Sequence, residues 1–358
     1  MISIALLKDT RLNIFEKSII GLGLGFSVPQ LFPFLLFFFF GIKYTYELAL
    51  ATVAVWWLFA IALSVWKRID GDLLDFTNQL KNQKKESLAF YCVLILIAFV
   101  VFWIRLSSYS PVFQELDPYY YTYIAQQILV FGYNPLNDQT GWWPVLEVSH
   151  RVIPVISYME SLWYSLYNGS NQYNNMLLAV IASVYPPIAA TLAFLFFYLF
   201  LSRITKREYA LVSAAISSFT TMFILKTMAG EMEIQPYAFF ALSFFYALYF
   251  LTIKEKNRMC AIIAAIAYTA LALGSSSEVL GLVFLSLSWL VFALVLFYKN
   301  TEAETIKKYL ELNAIVLIIG PVLASGIIKN TFYAGHFAFS LTNIAIAFII
   351  LAILSVLY

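Results

Sequence analysis

The feature that most constrains this chain is a succession of apolar runs, each about as long as the hydrocarbon core of a bilayer. At 1.5 Å per residue, roughly 20 helical residues cross about 30 Å. The runs predict spans over 18–41, 46–66, 87–106, 175–202, 208–225, 234–253, 258–274, 279–298, 309–328 and 336–358, about ten helices. Only 12% of the residues are Asp, Glu, Lys or Arg, against about 25% in soluble domains. A soluble fold cannot hide that much apolar surface, so a soluble enzyme, a nucleic-acid module, a coiled coil and a disordered chain are excluded. The formal net charge of +2 points to no polyanionic partner and no nucleic acid. The two cysteines, Cys92 and Cys260, both fall within apolar runs, which leaves neither a disulfide framework nor a CxxC metal site. The first apolar stretch lacks a small-residue cleavage site and reads as a retained anchor. The expected fold class is an all-α polytopic membrane protein.

Charge predicts the sidedness, because cytoplasmic loops collect Lys and Arg. With the N-terminus inside, the inner segments hold Lys8, Arg11, Lys17, Lys67, Arg68, Lys81, Lys84, Lys85, Arg203, Lys206, Arg207, Lys254, Lys256, Arg258, Lys299, Lys307 and Lys308. The outer segments hold only Lys43, Arg105, Arg151, Lys226 and Lys329. The expected location is therefore the cell membrane, with the N-terminus cytoplasmic. Three units follow: a three-helix segment over 1–106, a large outer loop over 107–174, and a helix bundle over 175–358. The loop is rich in Tyr, Trp and Pro, a composition unlike that of disordered segments, and loops of this length are usually functional. Within it, 152–167 carries Ile153, Ile156, Met159, Leu162, Trp163 and Leu166 at helical spacing, which suits a helix lying along the membrane surface. The sequence ends at Tyr358 inside an apolar run with no charged anchor, so the expectation is a truncated chain or one whose remainder is a separate polypeptide.

The outer face holds the acids Glu47, Glu115, Asp117, Asp138, Glu147, Glu160, Glu231, Glu233 and Glu278. Two acidic clusters stand at span ends. In ELDPYYY, Glu115–Tyr121, Pro118 forces an extended or turn backbone at Asp117 and exposes its carboxylate; Tyr119 and Tyr120 also suit an ordinary interfacial aromatic belt. In KTMAGEMEIQP, Lys226–Pro236, an extended Glu231-x-Glu233 directs two carboxylates at one hard cation, Mg²⁺ or Mn²⁺. The same acids equally suit the positive end of a helix dipole. His150, His336, Arg151 and Lys226 are candidates for contacting a phosphate. Asn168-Gly169-Ser170 forms an N-glycosylation acceptor sequence.

ELDPYYY, then GYNPLND (Gly132–Asp138) and WWP (Trp142–Pro144), followed by the Val184–Phe250 block with its Pro-Pro helix and T-x-A-G-E-x-E segment, resemble the catalytic subunits of oligosaccharyltransferases. These are membrane glycosyltransferases of the GT-C fold, and the resemblance spans roughly 107–300. It implies a GT-C-like bundle with a large first outer loop. The implied activity is metal-assisted transfer of an oligosaccharide from a polyprenyl or dolichyl phosphate or pyrophosphate carrier to asparagine of Asn-x-Ser/Thr. It also implies Asp117 and Glu231 as catalytic residues, and Asp117, Glu231 and Glu233 on a divalent metal. Lys226, Arg151, Tyr119, Tyr120 and His150 become substrate-binding candidates. The implied partners are a lipid-linked oligosaccharide, an acceptor polypeptide, membrane lipid and a separate C-terminal acceptor-binding domain. The sequence departs from the family at Tyr123, where an Arg is common, at Lys226 for Arg, and at Glu231 for Asp. GSSSEV (Gly274–Val279) fits the family's later helix region better than its acceptor-closing motif, and the W-W-D-Y-G signature is absent from the sequence. Two other readings stand beside this one: another GT-C transferase, such as a protein O-mannosyltransferase or lipid-linked sugar transferase, and a non-enzymatic scaffold or transporter. A transporter would place its ionisable groups near the midplane rather than at span ends.

Overall fold

A computed structural model describes residues 1–67, 85–109, 113, 115–133, 154–275, 277–298 and 303–322, with single positions at 324, 349 and 352. Among these residues the secondary structure is helical. In chain order the helices are α1 (Ile2–Leu6), α2 (Ile14–Ser27), α3 (Leu31–Phe40), α4 (Tyr46–Trp66), α5 (Lys85–Leu106), α6 (Asp117–Phe131) and α7 (Pro154–Asn168). They continue with α8 (Asn175–Leu201), α9 (Arg207–Ser218), α10 (Thr221–Leu225), α11 (Ile234–Glu255), α12 (Arg258–Gly274), α13 (Glu278–Tyr298) and α14 (Ala303–Leu317), the last running into a π-helical turn at Ile318–Val322.

Five segments are long and apolar enough to cross a membrane among the described residues: Ile14–Phe40, Tyr46–Trp66, Ser87–Leu106, Asn175–Leu201 and Ile234–Glu255. The chain is a multi-pass membrane protein. Local chemistry sets where several of these helices begin. Asn13 and Glu16 form a reciprocal capping box at α2, Thr45 accepts from the Leu48 N–H at α4, and Asn174 accepts from the Leu177 N–H at α8; each satisfies a donor the helix leaves unpaired. Two of the expected spans are interrupted. The 18–41 run is divided between α2 and α3 around Pro29, which has no N–H to continue the ladder. The 208–225 run breaks at Phe219–Thr220 into α9 and α10. Most of the expected 309–328 run beyond the π-helical turn, and all of 336–358, lie outside the described residues.

The core is built on α8, α11 and α12, which pack along their lengths, with α5 and α9 against α8 and with α2 closing the other side. Aromatic rings fill it. Phe26 stands edge-on to Phe240 at 4.9 Å, Phe196 meets Phe244 at 4.6 Å, and Gly23 lies where any side chain would strike the Phe196 ring. By contrast α4 and α5 expose Trp57, Leu58, Phe59, Trp66, Ile95, Leu96, Phe99 and Trp103, the outward apolar surface that lipid requires.

Helix α7 corrects an expectation. It forms over Pro154–Asn168, but it does not lie open on a surface. It packs among α3, α4, α6, α8 and α12, and even its polar residues Ser157, Glu160, Ser161 and Ser165 are buried. Small hydroxyls make this affordable: Ser161 Oγ donates to the Ser157 carbonyl at 2.8 Å, and Ser165 Oγ accepts from Tyr44 at 3.0 Å. The amphipathic period is real, but helices cover both faces.

The two ends of the bundle differ in character. At one end Arg203 pairs with Glu16, Lys254 Nζ donates to the Arg203 carbonyl at 3.3 Å, and the Arg11 N–H donates to Glu255 at 3.0 Å. At the other end stands Glu233, the N-cap of α11. The 22 residues of α11 separate Glu233 from Glu255 by about 33 Å at 1.5 Å per residue. Arg11, Glu16, Arg203, Lys254 and Glu255 thus gather at one end, away from the Glu231–Glu233 turn.

Candidate metal centre

The turn between α10 and α11 carries Lys226, Glu231 and Glu233. Gly230 opens it with φ +95°, a left-handed conformation that costs a side-chain-bearing residue but not glycine. Three ties fix it. The Ala229 N–H donates to the Arg105 carbonyl at the end of α5 at 3.0 Å, and the Gly230 N–H donates to the Ser183 carbonyl of α8 at 3.3 Å. Tyr185 Oη, also on α8, donates to the Glu233 carbonyl at 3.0 Å. Between the two glutamates Met232 is fully buried, and its Sδ accepts from Thr122 on α6 at 3.2 Å. Glu233 itself is extended, φ −116° and ψ −177°, as expected ahead of Pro236. An apolar anchor between two acids spaced i, i+2 lets both carboxylates serve one place.

Among the described residues, Glu115, Glu231 and Glu233 form the group able to hold a metal, one carboxylate oxygen from each lying within 4.8 Å of the others. Around an octahedral ion with bonds of about 2.1 Å, neighbouring ligand oxygens stand about 3.0 Å apart and opposite ones about 4.2 Å, so oxygens within 4.8 Å of one another must close by up to about 1.8 Å to share one hard cation. Glu231 and Glu233 are buried and Glu115 is exposed. Among the described residues, Glu231 Oε2 is buried with no hydrogen-bond partner. Lys226 Nζ bonds Glu115 at 3.1 Å and Glu233 at 3.5 Å, so an ammonium stands where positive charge is wanted.

Proximity redistributes the protons. Burial, then the hydrogen bond to Glu115, pushes the Glu233 carboxyl up to about 7 against the opposing charge of Lys226. Burial, then the charge of Glu115, also raises Glu231. Glu115 is held below the usual carboxylate range, first by its hydrogen bond with Glu233 and then by Lys226. Burial pulls Lys226 down, but the bond to Glu115 and the charges of Glu233, Glu115 and Glu231 outweigh it and leave it above its ordinary value. Near neutrality the Glu233 carboxyl is thus only partly ionised, while Lys226 is a full cation.

Of the residues expected here, Glu231, Glu233 and Lys226 come together. Asp117 is not a member of the three-carboxylate group; Glu115, two residues earlier, takes that place. Asp117 is the exposed first residue of α6, followed by Pro118, where the helix dipole suits a carboxylate. Glu115 lies ahead of the helix, within reach of Lys226. The signal for Glu115 was present: E-x-D at 115–117 repeats the spacing of E-x-E at 231–233. Tyr119 and Tyr120 stand on the first turn of α6, Tyr119 half-exposed and edge-on to Phe113 at 4.9 Å, Tyr120 edge-on to Tyr121 at 5.6 Å. His150, Arg151 and His336 lie outside the described residues, as does the Glu278 side chain. The Asn168 side chain is buried and donates to the carbonyls of Asn171 and Gln172 at 3.1 and 3.2 Å, which commits its amide within a closed turn.

No family model matches the chain. Over 195 residues, 52% of this chain and 27% of the relative, it is 27% identical to the dolichyl-diphosphooligosaccharide–protein glycosyltransferase subunit STT3 of Dictyostelium discoideum. Its fold matches that of AglB, an archaeal oligosaccharyltransferase from Archaeoglobus fulgidus solved in complex with an inhibitory peptide and a dolichol-phosphate, with a TM-score of 0.56 and 15% identity. That match covers 77% of this chain and 37% of the AglB chain. The chain therefore spans about a quarter of the length of one protein and just over a third of the other. Over half its sequence and most of its fold, the chain is similar to the STT3 and AglB subunits of oligosaccharyltransferases, the family that ELDPYYY and the T-x-A-G-E-x-E segment resemble.

Proposed function

We propose that this chain is the membrane part of an oligosaccharyltransferase, moving an oligosaccharide from a polyprenyl or dolichyl phosphate or pyrophosphate carrier to asparagine in Asn-x-Ser/Thr. The observation that carries the reading is the convergence of Glu115, Glu231 and Glu233 at one end of a bundle similar in fold to AglB. The end lies away from the basic segments, which supports an outward-facing site on a chain whose N-terminus is cytoplasmic.

Glu115, Glu231 and Glu233 would hold a divalent ion, Mg²⁺ or Mn²⁺. The donor set fits: three carboxylates supply hard oxygens, and among the described residues one Glu231 oxygen is buried and unpartnered. Bound there, such an ion supplies positive charge to a departing phosphate. The chain's own groups do the rest. Glu233 would serve the ion as its carboxylate, and Lys226, whose ammonium stands beside Glu115 and Glu233, would offer its charge to the carrier phosphate. Asp117, exposed at the start of α6, presents its carboxylate to the acceptor amide nitrogen, a weak nucleophile that needs its proton drawn away. Tyr119 and Tyr120 flank it at the lipid boundary.

The test is glycan transfer from extracted lipid donor to an Asn-x-Ser/Thr peptide by the native protein, compared with Glu231→Ala and Asp117→Ala. Transfer by the wild type that both variants abolish is the expected result. Transfer to serine or threonine selects the O-glycosyl reading, and no transfer to either acceptor by folded, native protein overturns the assignment.

A further inference from the structure

The side chain of Arg105 is wholly buried and has no ion pair among the described residues, although a buried cation normally demands a counter-charge. Neutral acceptors on three elements stand in for one. Nη1 donates to the Val101 carbonyl of its own helix at 2.9 Å. Nη2 donates to the Ser218 carbonyl at 2.7 Å, and Nε donates to Thr227 Oγ1 at 2.6 Å. The Phe223 ring lies 4.9 Å from the guanidinium carbon. Two of the acceptors owe their place to the local fold. Ser218 is the last residue of α9, where the break before α10 leaves terminal carbonyls unpaired and the helix dipole is negative. Thr227 is the residue after Lys226, on the turn that carries both site glutamates. The Arg105 carbonyl completes the grip by accepting from the Ala229 N–H at 3.0 Å.

We infer that Arg105, acting through Thr227, is the positioning residue of the acidic site: it fixes the Lys226–Glu233 turn to the end of α5, and so sets how closely Glu231 and Glu233 approach Glu115. A planar fork is needed, because the three acceptors lie on different elements and a single ammonium cannot reach them in fixed directions. The break between α9 and α10 leaves the Ser218 carbonyl at a helix end, where it is free to take Nη2. The consequence for ion binding rests on the metal-centre reading above, while the consequence for the turn does not.

The experiment compares wild-type protein with Thr227→Val, Thr227→Ser and Arg105→Lys. One readout is hydrogen exchange of the 226–233 segment against that of α8 and α11; the other is Mn²⁺ affinity. Thr227→Val and Arg105→Lys are each expected to speed exchange in 226–233 by about tenfold or more while α8 and α11 keep their protection. Both should weaken Mn²⁺ binding by about tenfold, and Thr227→Ser should restore wild-type values. Wild-type exchange in Thr227→Val overturns the inference. So does faster exchange throughout the bundle that Thr227→Ser fails to restore, since that marks general destabilisation. If the wild type binds no Mn²⁺, the metal reading falls, and the exchange comparison alone decides the role of Arg105.

Discussion

Divalent-ion affinity of the acidic site should rise about tenfold between about pH 6 and about pH 8, with Glu233 as the group responsible. Its carboxyl titrates at about 7 because burial and the hydrogen bond to Glu115 favour the protonated form. A cation competes with that proton. One unit below 7 about a tenth of Glu233 is ionised and one unit above about nine-tenths, so the competent fraction changes about tenfold, or about 1.4 kcal/mol. The raised Glu231 works in the same direction at the acid end. Glu115, held low, stays ionised throughout, and Lys226, held high, stays charged. The stability of the ion-free protein runs the other way. A carboxyl whose folded pKa is raised stabilises the fold most below its ordinary pKa, and that contribution is lost as pH climbs from the ordinary carboxylate range through about 7. Free Mn²⁺ measured by electron paramagnetic resonance on the purified protein at three pH values gives the affinity directly. Glu233→Gln supplies the reference: it binds more weakly and with little dependence on pH. A wild-type affinity flat in pH, or a Glu233→Gln variant with the same tenfold rise, would refute the reasoning.

Three further outcomes follow from the geometry. Glu115→Gln should weaken Mn²⁺ by about tenfold or more, at least the cost of losing a supporting hydrogen bond, whereas Asp117→Asn should leave it nearly unchanged; calorimetry on the pair decides, and the reverse order returns Asp117 to the ion. Glu160, fully buried with neither carboxyl oxygen partnered among the described residues, is pushed well above the usual carboxylate range by that burial. Glu160→Gln should therefore gain stability over wild type as pH rises, by up to about 1.4 kcal/mol per pH unit above the ordinary carboxylate pKa, and parallel melting curves from pH 5 to pH 8 would contradict this. At Gly274 an added Cβ would lie 2.0 Å from Cε1 of the buried Tyr237, so Gly274→Ala should cost about 1–3 kcal/mol by overpacking, seen as a lower thermal midpoint; an unchanged midpoint would mean that Tyr237 has room to move.

What the sequence made legible divides along the line between local and distant causes. The spans expected at 46–66, 87–106, 175–202 and 234–253 lie within three residues of α4, α5, α8 and α11 at either end, because each is a long apolar run and two of them begin at a capping Thr45 or Asn174. The break inside 208–225 was hidden. Ser217, Ser218, Thr220 and Thr221 lower the apolar content there, but no proline or glycine marks a break, and the stabilising contact comes from Arg105, 113 residues away in sequence. The burial of α7 was hidden for a related reason: its period separates polar from apolar residues, but only the packed neighbours show that the polar face is covered too. The acidic cluster shows both cases at once. E-x-E ahead of a proline is a local pattern and marked Glu231 and Glu233 from residues alone. The choice of Glu115 over Asp117 is not local, because it depends on where α5 and α8 fix the turn and on Lys226 reaching back across it. An acidic pair can be read from spacing, but its third carboxylate is selected by the helices that hold the pair in place, and substitutions at Arg105 or Thr227 should therefore disturb the ion without altering a single ligand.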